Sequence, residues 1–160
     1  MQSLEKEQGL TIEWLQKHHM YRILYKTAKR FGKDRKNDHD LTKLGLIQSE
    51  IWMARQLLQP FPHISVAKDQ SGTIAGVMCG APFFNQFFIQ YIAICSDFSH
   101  IRDEIEKQLI FSAIDESIEL GFRGWVACSP EPGEEKFWQS HGFSKESEGM
   151  FRRMGYFVGI

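Results

Sequence analysis

Arg123–Phe143 reads RGWVACSPEPGEEKFWQSHGF, and the order of residue types within it decides the architecture. Trp125, Val126, Ala127 and Cys128 form an apolar run of strand length, and Pro130 and Pro132 forbid its continuation. Glu134 and Glu135 then suit a helix N-terminus, where the peptide dipoles are positive. Gly142 can adopt the left-handed conformation that ends a helix, with Phe143 folding back onto the preceding turn. The stretch therefore predicts a buried strand, a loop, a short helix carrying the aromatic pair Phe137–Trp138, and a step into a last hairpin. Its strands are expected over Lys145–Glu148 and Met150–Gly155.

Upstream, Ile101, Ile105, Leu109, Ala113, Ile114 and Ile118 are spaced for one face of a helix over Arg102–Leu120, capped by Gly121. Before it, Ile89–Cys95 is almost wholly apolar and rich in β-branched residues, as a strand buried on both faces requires. His63–Lys68 and Thr73–Gly80 flank the turn Asp69-Gln70-Ser71-Gly72 and predict a hairpin. A helix over Leu41–Leu58 shows Leu44, Ile47, Ile51, Ala54 and Leu58 on one face and stops before Pro60 and Pro62. The first helix is expected over Thr11–Arg30 with Thr11 as its N-cap. Between these helices, Gly32–Asp40 (GKDRKNDHD) is polar and reads as a mobile connection. Met1–Leu10 is too charged to predict a strand.

A chain of 160 residues, 42% hydrophobic and 24% charged, fits one domain spanning 1–160. No run approaches the roughly 18 apolar residues of a membrane span, and the N-terminus lacks a signal-peptide core. A cytoplasmic protein without a membrane partner is expected. Cys79, Cys95 and Cys128 are widely spaced in strand-like runs, which predicts reduced core thiols and no metal site. Residues 1–62 carry 11 Lys/Arg against 7 Asp/Glu, and residues 63–160 carry 8 against 13. The basic run from Lys26 to Lys36 reads as a solvated helix end and loop, so nucleic acid is not an expected partner.

The order helix, helix, strand, strand, strand, helix, strand, short helix, strand, with Phe137–Trp138 and Gly142–Phe143, resembles the GNAT (Gcn5-related) N-acetyltransferases over about residues 11–155. The resemblance implies an α/β (α+β) fold with a mixed, mostly antiparallel sheet flanked by helices. It implies acetyl-CoA as co-substrate and a small-molecule or peptide amine as acceptor. In that family a strand like Ile92-Ala93-Ile94 leads into a glycine-rich turn whose amides meet a pyrophosphate. Here Ser96–Arg102 (SDFSHIR) has no glycine, and Asp103, Glu104 and Glu106 fill the first helical turn, where they oppose a bound diphosphate.

The residues expected at the donor site are Ile92, Ile94, Ser99, His100, Ile101, Arg102 and Phe137. The Phe-rich segment supplies Phe83, Phe84 and Phe87, with Gln90, for an acceptor pocket or a homodimer contact. A tyrosine often serves as acid in the short helix of the family, but Phe137–Trp138 stands there, and an indole N–H cannot protonate a thiolate. Tyr91 is the titratable group left in the central strand and the candidate catalytic residue. A GNAT-like domain that binds a partner without transferring an acyl group is the alternative.

Overall fold

The computed structural model describes residues 9–147 and 149–153. The elements, in chain order, are β1 Thr11–Trp14, α1 Lys17–Phe31, a 3-10 turn Arg35–Asn37, α2 Asp38–Leu57, β2 His63–Lys68, β3 Ile74–Phe83 and β4 Gln86–Ile94. A second 3-10 turn, Ser96–Ile101, leads into α3 Arg102–Glu119, followed by β5 Val126–Cys128, α4 Glu135–Ser140, β6 Ser144–Ser147 and β7 Met150–Arg153. The strands hydrogen-bond in the order β1-β2-β3-β4-β5-β7-β6. β4 and β5 run parallel, whereas β1–β2, β5–β7 and β6–β7 are antiparallel. This is the mixed, mostly antiparallel sheet with helices that the sequence predicts.

The chain divides into two compact units. Residues 9–79 and 91–109 form the first, and residues 80–90, 110–147 and 149–153 the second. In the first, α1 buries Met20, Leu24, Thr27 and Phe31, and α2 buries Leu44, Ile47, Ile51 and Ala54, each set at helical spacing. They share a core with Ile64, Val66, Val77 and Ala93 of the strands. Each such Leu, Ile or Val contributes about 1.5–3 kcal/mol by leaving water. Gly76 lets α3 lie close on β3, because a Cβ there would come 2.7 Å from Ile105 Cγ2 and 3.1 Å from Leu109 Cδ1.

In the second unit β5 has partners on both edges, β4 and β7, and all three of its residues are buried. That position explains why Val126-Ala127-Cys128 is uniformly apolar rather than alternating. Trp125 stays outside the strand, and its carbonyl accepts Phe87 N–H at 3.0 Å and Ser117 Oγ–H at 2.7 Å. The end of α3 is closed by Gly121 at φ 85°, with Phe122 N–H donating to Ser117 O at 2.8 Å.

Several expectations need correction. Thr11–Trp14 is a strand rather than the start of a helix: its burial alternates with period two, and it pairs with Ser65–Lys68 of β2. Glu13 and Lys68, on these paired strands, form an ion pair at 2.7 Å. The N-terminal strand is therefore present, and α1 begins after Gln16, not Thr11. β3 runs past its expected end at Gly80 through Ala81-Pro82 to Phe83, and β4 begins at Gln86 rather than Ile89, so the Phe-rich segment is the tip of a β3–β4 hairpin. The connection Gly32–Asp40 is ordered by a 3-10 turn and the start of α2. The last strands stop at Ser147 and Arg153, and Glu148 and the end of the predicted last strand lie outside the described residues.

Leu58, expected in the apolar stripe of α2, is instead 93% exposed and takes the left-handed C-cap position at φ 51°. Pro60 prevents another helical turn, and a branched side chain pays about 1–2 kcal/mol for that conformation. Leu58→Gly should therefore raise stability by about 0.5–1 kcal/mol, read as a higher midpoint in urea with unchanged slope. A lowered midpoint would show that Leu58 packs in solution.

Candidate functional site

The first unit holds the segment where β4 passes into α3. Cys95 N–H donates to Ala75 O at 2.9 Å, tying the strand end to β3. Because N–H groups alternate along a strand, Ile94 N–H points to the opposite edge. There it donates to Asp40 Oδ1 at 3.0 Å. Ser96 N–H donates to Asn37 Oδ1 at 2.7 Å, and Ser96 Oγ–H to Asp34 Oδ2 at 2.9 Å. Asp34 also accepts Lys36 N–H at 3.0 Å. That backbone bond, then the serine hydroxyl, holds its carboxyl below the usual carboxylate range. Asn37 is itself oriented from behind, donating through Nδ2 to Phe31 O at 3.1 Å.

Arg102, the first residue of α3, lies between two carboxylates. Its Nη2 is 3.5 Å from Asp40 Oδ1, and its Nε is 3.3 Å from Glu106 Oε2. The carboxylate side chains are only 7% exposed, so this is not a loose surface pair. Ser99 and His100 are exposed in the 3-10 turn, Ile101 is half-buried, and Ile92 and Ile94 are buried in the strand. Tyr91 is half-buried and packs against the core of the first unit.

Three residues here were missed by sequence reading: Asp34, Asn37 and Asp40. Their signal was visible, since Asp and Asn stand at steps of three just before a helix, where short polar side chains seek backbone N–H groups. What the pattern could not supply was the target, which lies 54 to 62 residues further along the chain.

The second unit carries the remaining candidates. Phe137 is half-buried and stacks edge-on with Trp138 at 5.0 Å, and Trp138 meets Phe143 at 5.1 Å. Gly142 at φ 89° and Phe143 N–H donating to Trp138 O at 3.1 Å close the short helix as its sequence predicts. At the β3–β4 tip, Phe83 lies 4.6 Å from Phe84 and 5.7 Å from Phe88, ring to ring. Phe84 is 82% exposed at φ 58°. Phe87 is wholly buried beneath Gly80, so it is a core residue and offers no surface to an acceptor. Gln90 is half-buried.

Burial raises all three thiols, Cys79, Cys95 and Cys128, above the ordinary cysteine range. A buried neutral thiol is a poor nucleophile, and all three cysteines are free and buried. No described helix is long and apolar enough to cross a membrane.

No protein-family model and no curated protein matches the chain. Solved structures do. The PaiA N-acetyltransferase of Thermoplasma acidophilum, solved with coenzyme A, superposes with a TM-score of 0.57 at 13% identity over 91% of this chain and 98% of that one. A point mutant of the AtaT toxin, solved with the C-terminus of the antitoxin AtaR and acetyl-CoA, gives 0.58 at 15% identity over 90% and 92%. Tetrahymena GCN5 gives 0.60 at 10% identity over 89% and 94%. The chain has the fold of the GNAT acetyltransferases.

Proposed function

We propose that this protein is an acetyl-CoA-dependent N-acyltransferase acting on a small-molecule or peptide amine. The observation that carries the reading is the GNAT fold over about nine-tenths of the chain, with β4 running into the N-terminus of α3. An acyl donor would meet the end of that strand and the helix beyond it, where backbone amides and a positive dipole end lie. Ile92 and Ile94 would flank the donor, with Ser99, His100, Ile101 and Arg102 on the phosphate side and Phe137 as an apolar contact. Phe83, Phe84 and Gln90 would meet an apolar or aromatic acceptor, or a second copy of the chain. A cytoplasmic setting goes with this reading.

The acceptor amine, having lost the proton of its ammonium form to solvent, attacks the thioester carbon; the C–N bond forms, the C–S bond breaks, and the second proton shed by the nitrogen passes to the departing thiolate. Tyr91 is the side chain proposed to handle that proton. Titration with acetyl-CoA by calorimetry, with Arg102→Ala alongside, tests the donor site. Micromolar binding, weakened about tenfold by removal of the guanidinium, is the expected result. Absence of binding and of amine-dependent CoA release at millimolar donor would leave a GNAT-fold binding domain.

A further inference from the structure

The amides that would receive an acyl donor already have acceptors, and these acceptors come from one segment. Asp40 takes Ile94 N–H at 3.0 Å, Asn37 takes Ser96 N–H at 2.7 Å, and Asp34 takes the Ser96 hydroxyl at 2.9 Å. Asp40 and Asn37 are buried, at 5% and 1% exposure, so they are built into place rather than resting on the surface. A backbone N–H donates one strong bond at a time. A thioester carbonyl or a phosphate oxygen must therefore displace these side chains to use Ile94 or Ser96.

Charge reinforces the blockade. Arg102 is the cation closest to the turn in sequence, and Asp40 and Glu106 both engage it. The two carboxylates thus hold the guanidinium that a phosphate would otherwise pair with. The first turn of α3 adds Asp103 and Glu104. This explains how a glycine-free, acidic turn coexists with a GNAT fold. In the conformation seen here, the turn is occupied by the protein itself.

We propose that the α1–α2 connection and the first turn of α2 form an autoinhibitory clasp: Asp34, Asn37 and Asp40 hold the donor turn closed, and acyl-donor binding requires their release from Ile94 and Ser96. The inference rests on the acyltransferase reading above. Gly32, Lys33, Arg35 and Lys36 of the connection are exposed, and the hold on Ile94 and Ser96 is made by side chains rather than by a backbone ladder. The three exposed cations give an anionic donor a place to engage as the clasp opens.

The test uses the full chain and acetyl-CoA. Asp40→Ala removes both the acceptor of Ile94 N–H and the charge beside it, and Asn37→Ala removes the acceptor of Ser96 N–H. The double variant, confirmed folded by its thermal melt, should bind acetyl-CoA at least tenfold more tightly than the wild type. Binding by the variant at least tenfold tighter than by a wild type that also binds would support both the clasp and the transferase. Equal or weaker binding by the folded variant, with a wild type that binds, would overturn the clasp and leave the transferase standing. No binding to either would overturn the transferase reading and the clasp with it.

A lock of opposite sign covers the case in which the variant does not fold. Asp34→Cys with Ser96→Cys, oxidised, pins the connection to the turn. Donor binding should then be lost and should return on reduction. The same affinity in both redox states overturns the clasp.

Discussion

Replacing Tyr91 with phenylalanine should lower kcat for acetyl transfer about a hundredfold while leaving the dissociation constant of acetyl-CoA within about twofold. The phenol stands in β4, half-buried and packed against the core of the first unit, so the substitution keeps the ring and its contacts and removes only the hydroxyl. The cysteine thiols are raised by burial, and the short helix offers Phe137 and Trp138, neither of which can give a thiolate its proton. Steady-state rates and donor titrations on the two proteins separate chemistry from binding. A kcat within twofold of wild type would remove Tyr91 from the mechanism and leave the proton to solvent or to the acceptor itself.

Gly80→Ala should destabilise the fold by about 2–3 kcal/mol, the upper part of the cost of overpacking a filled site. A Cβ at Gly80 would come 2.7 Å from the backbone oxygen of Phe88 and closer still to the ring of Phe87. A flexible side-chain end could swing away, but a carbonyl in a paired strand cannot move without disturbing the ladder. Phe87 has no slack either, being fully buried. Urea unfolding of the two proteins gives the difference directly. A loss below about 0.5 kcal/mol would mean that the β3–β4 hairpin is looser than its packing indicates.

The residue pattern predicts a strand ending at Gly80, and nothing in VMCGAPFF indicates that β3 continues through Pro82 or that a ring lies against the glycine. Thr11–Trp14 was missed for a similar reason: a four-residue edge strand shows only two alternations, too few to outweigh the helical spacing that follows. The longer elements were legible. α3 and the strand–loop–helix from Val126 to Ser140 fall within a residue or two of their predicted bounds, because Pro130, Pro132, Gly121 and Gly142 mark their ends by backbone constraint.

By itself the sequence determined the order and kind of most elements, since periodicity, proline and glycine act over a few residues and need no partner to be read. It also determined that the donor turn lacks glycine and carries acid. Only the tertiary structure decided what that turn does with its amides. Asp34, Asn37 and Asp40 reach Ile94 and Ser96 across 54 to 62 residues, and Arg102 finds Asp40 from the far side of the same gap. Such pairings depend on how α1, α2 and β4 come to lie in one core, which no local pattern encodes.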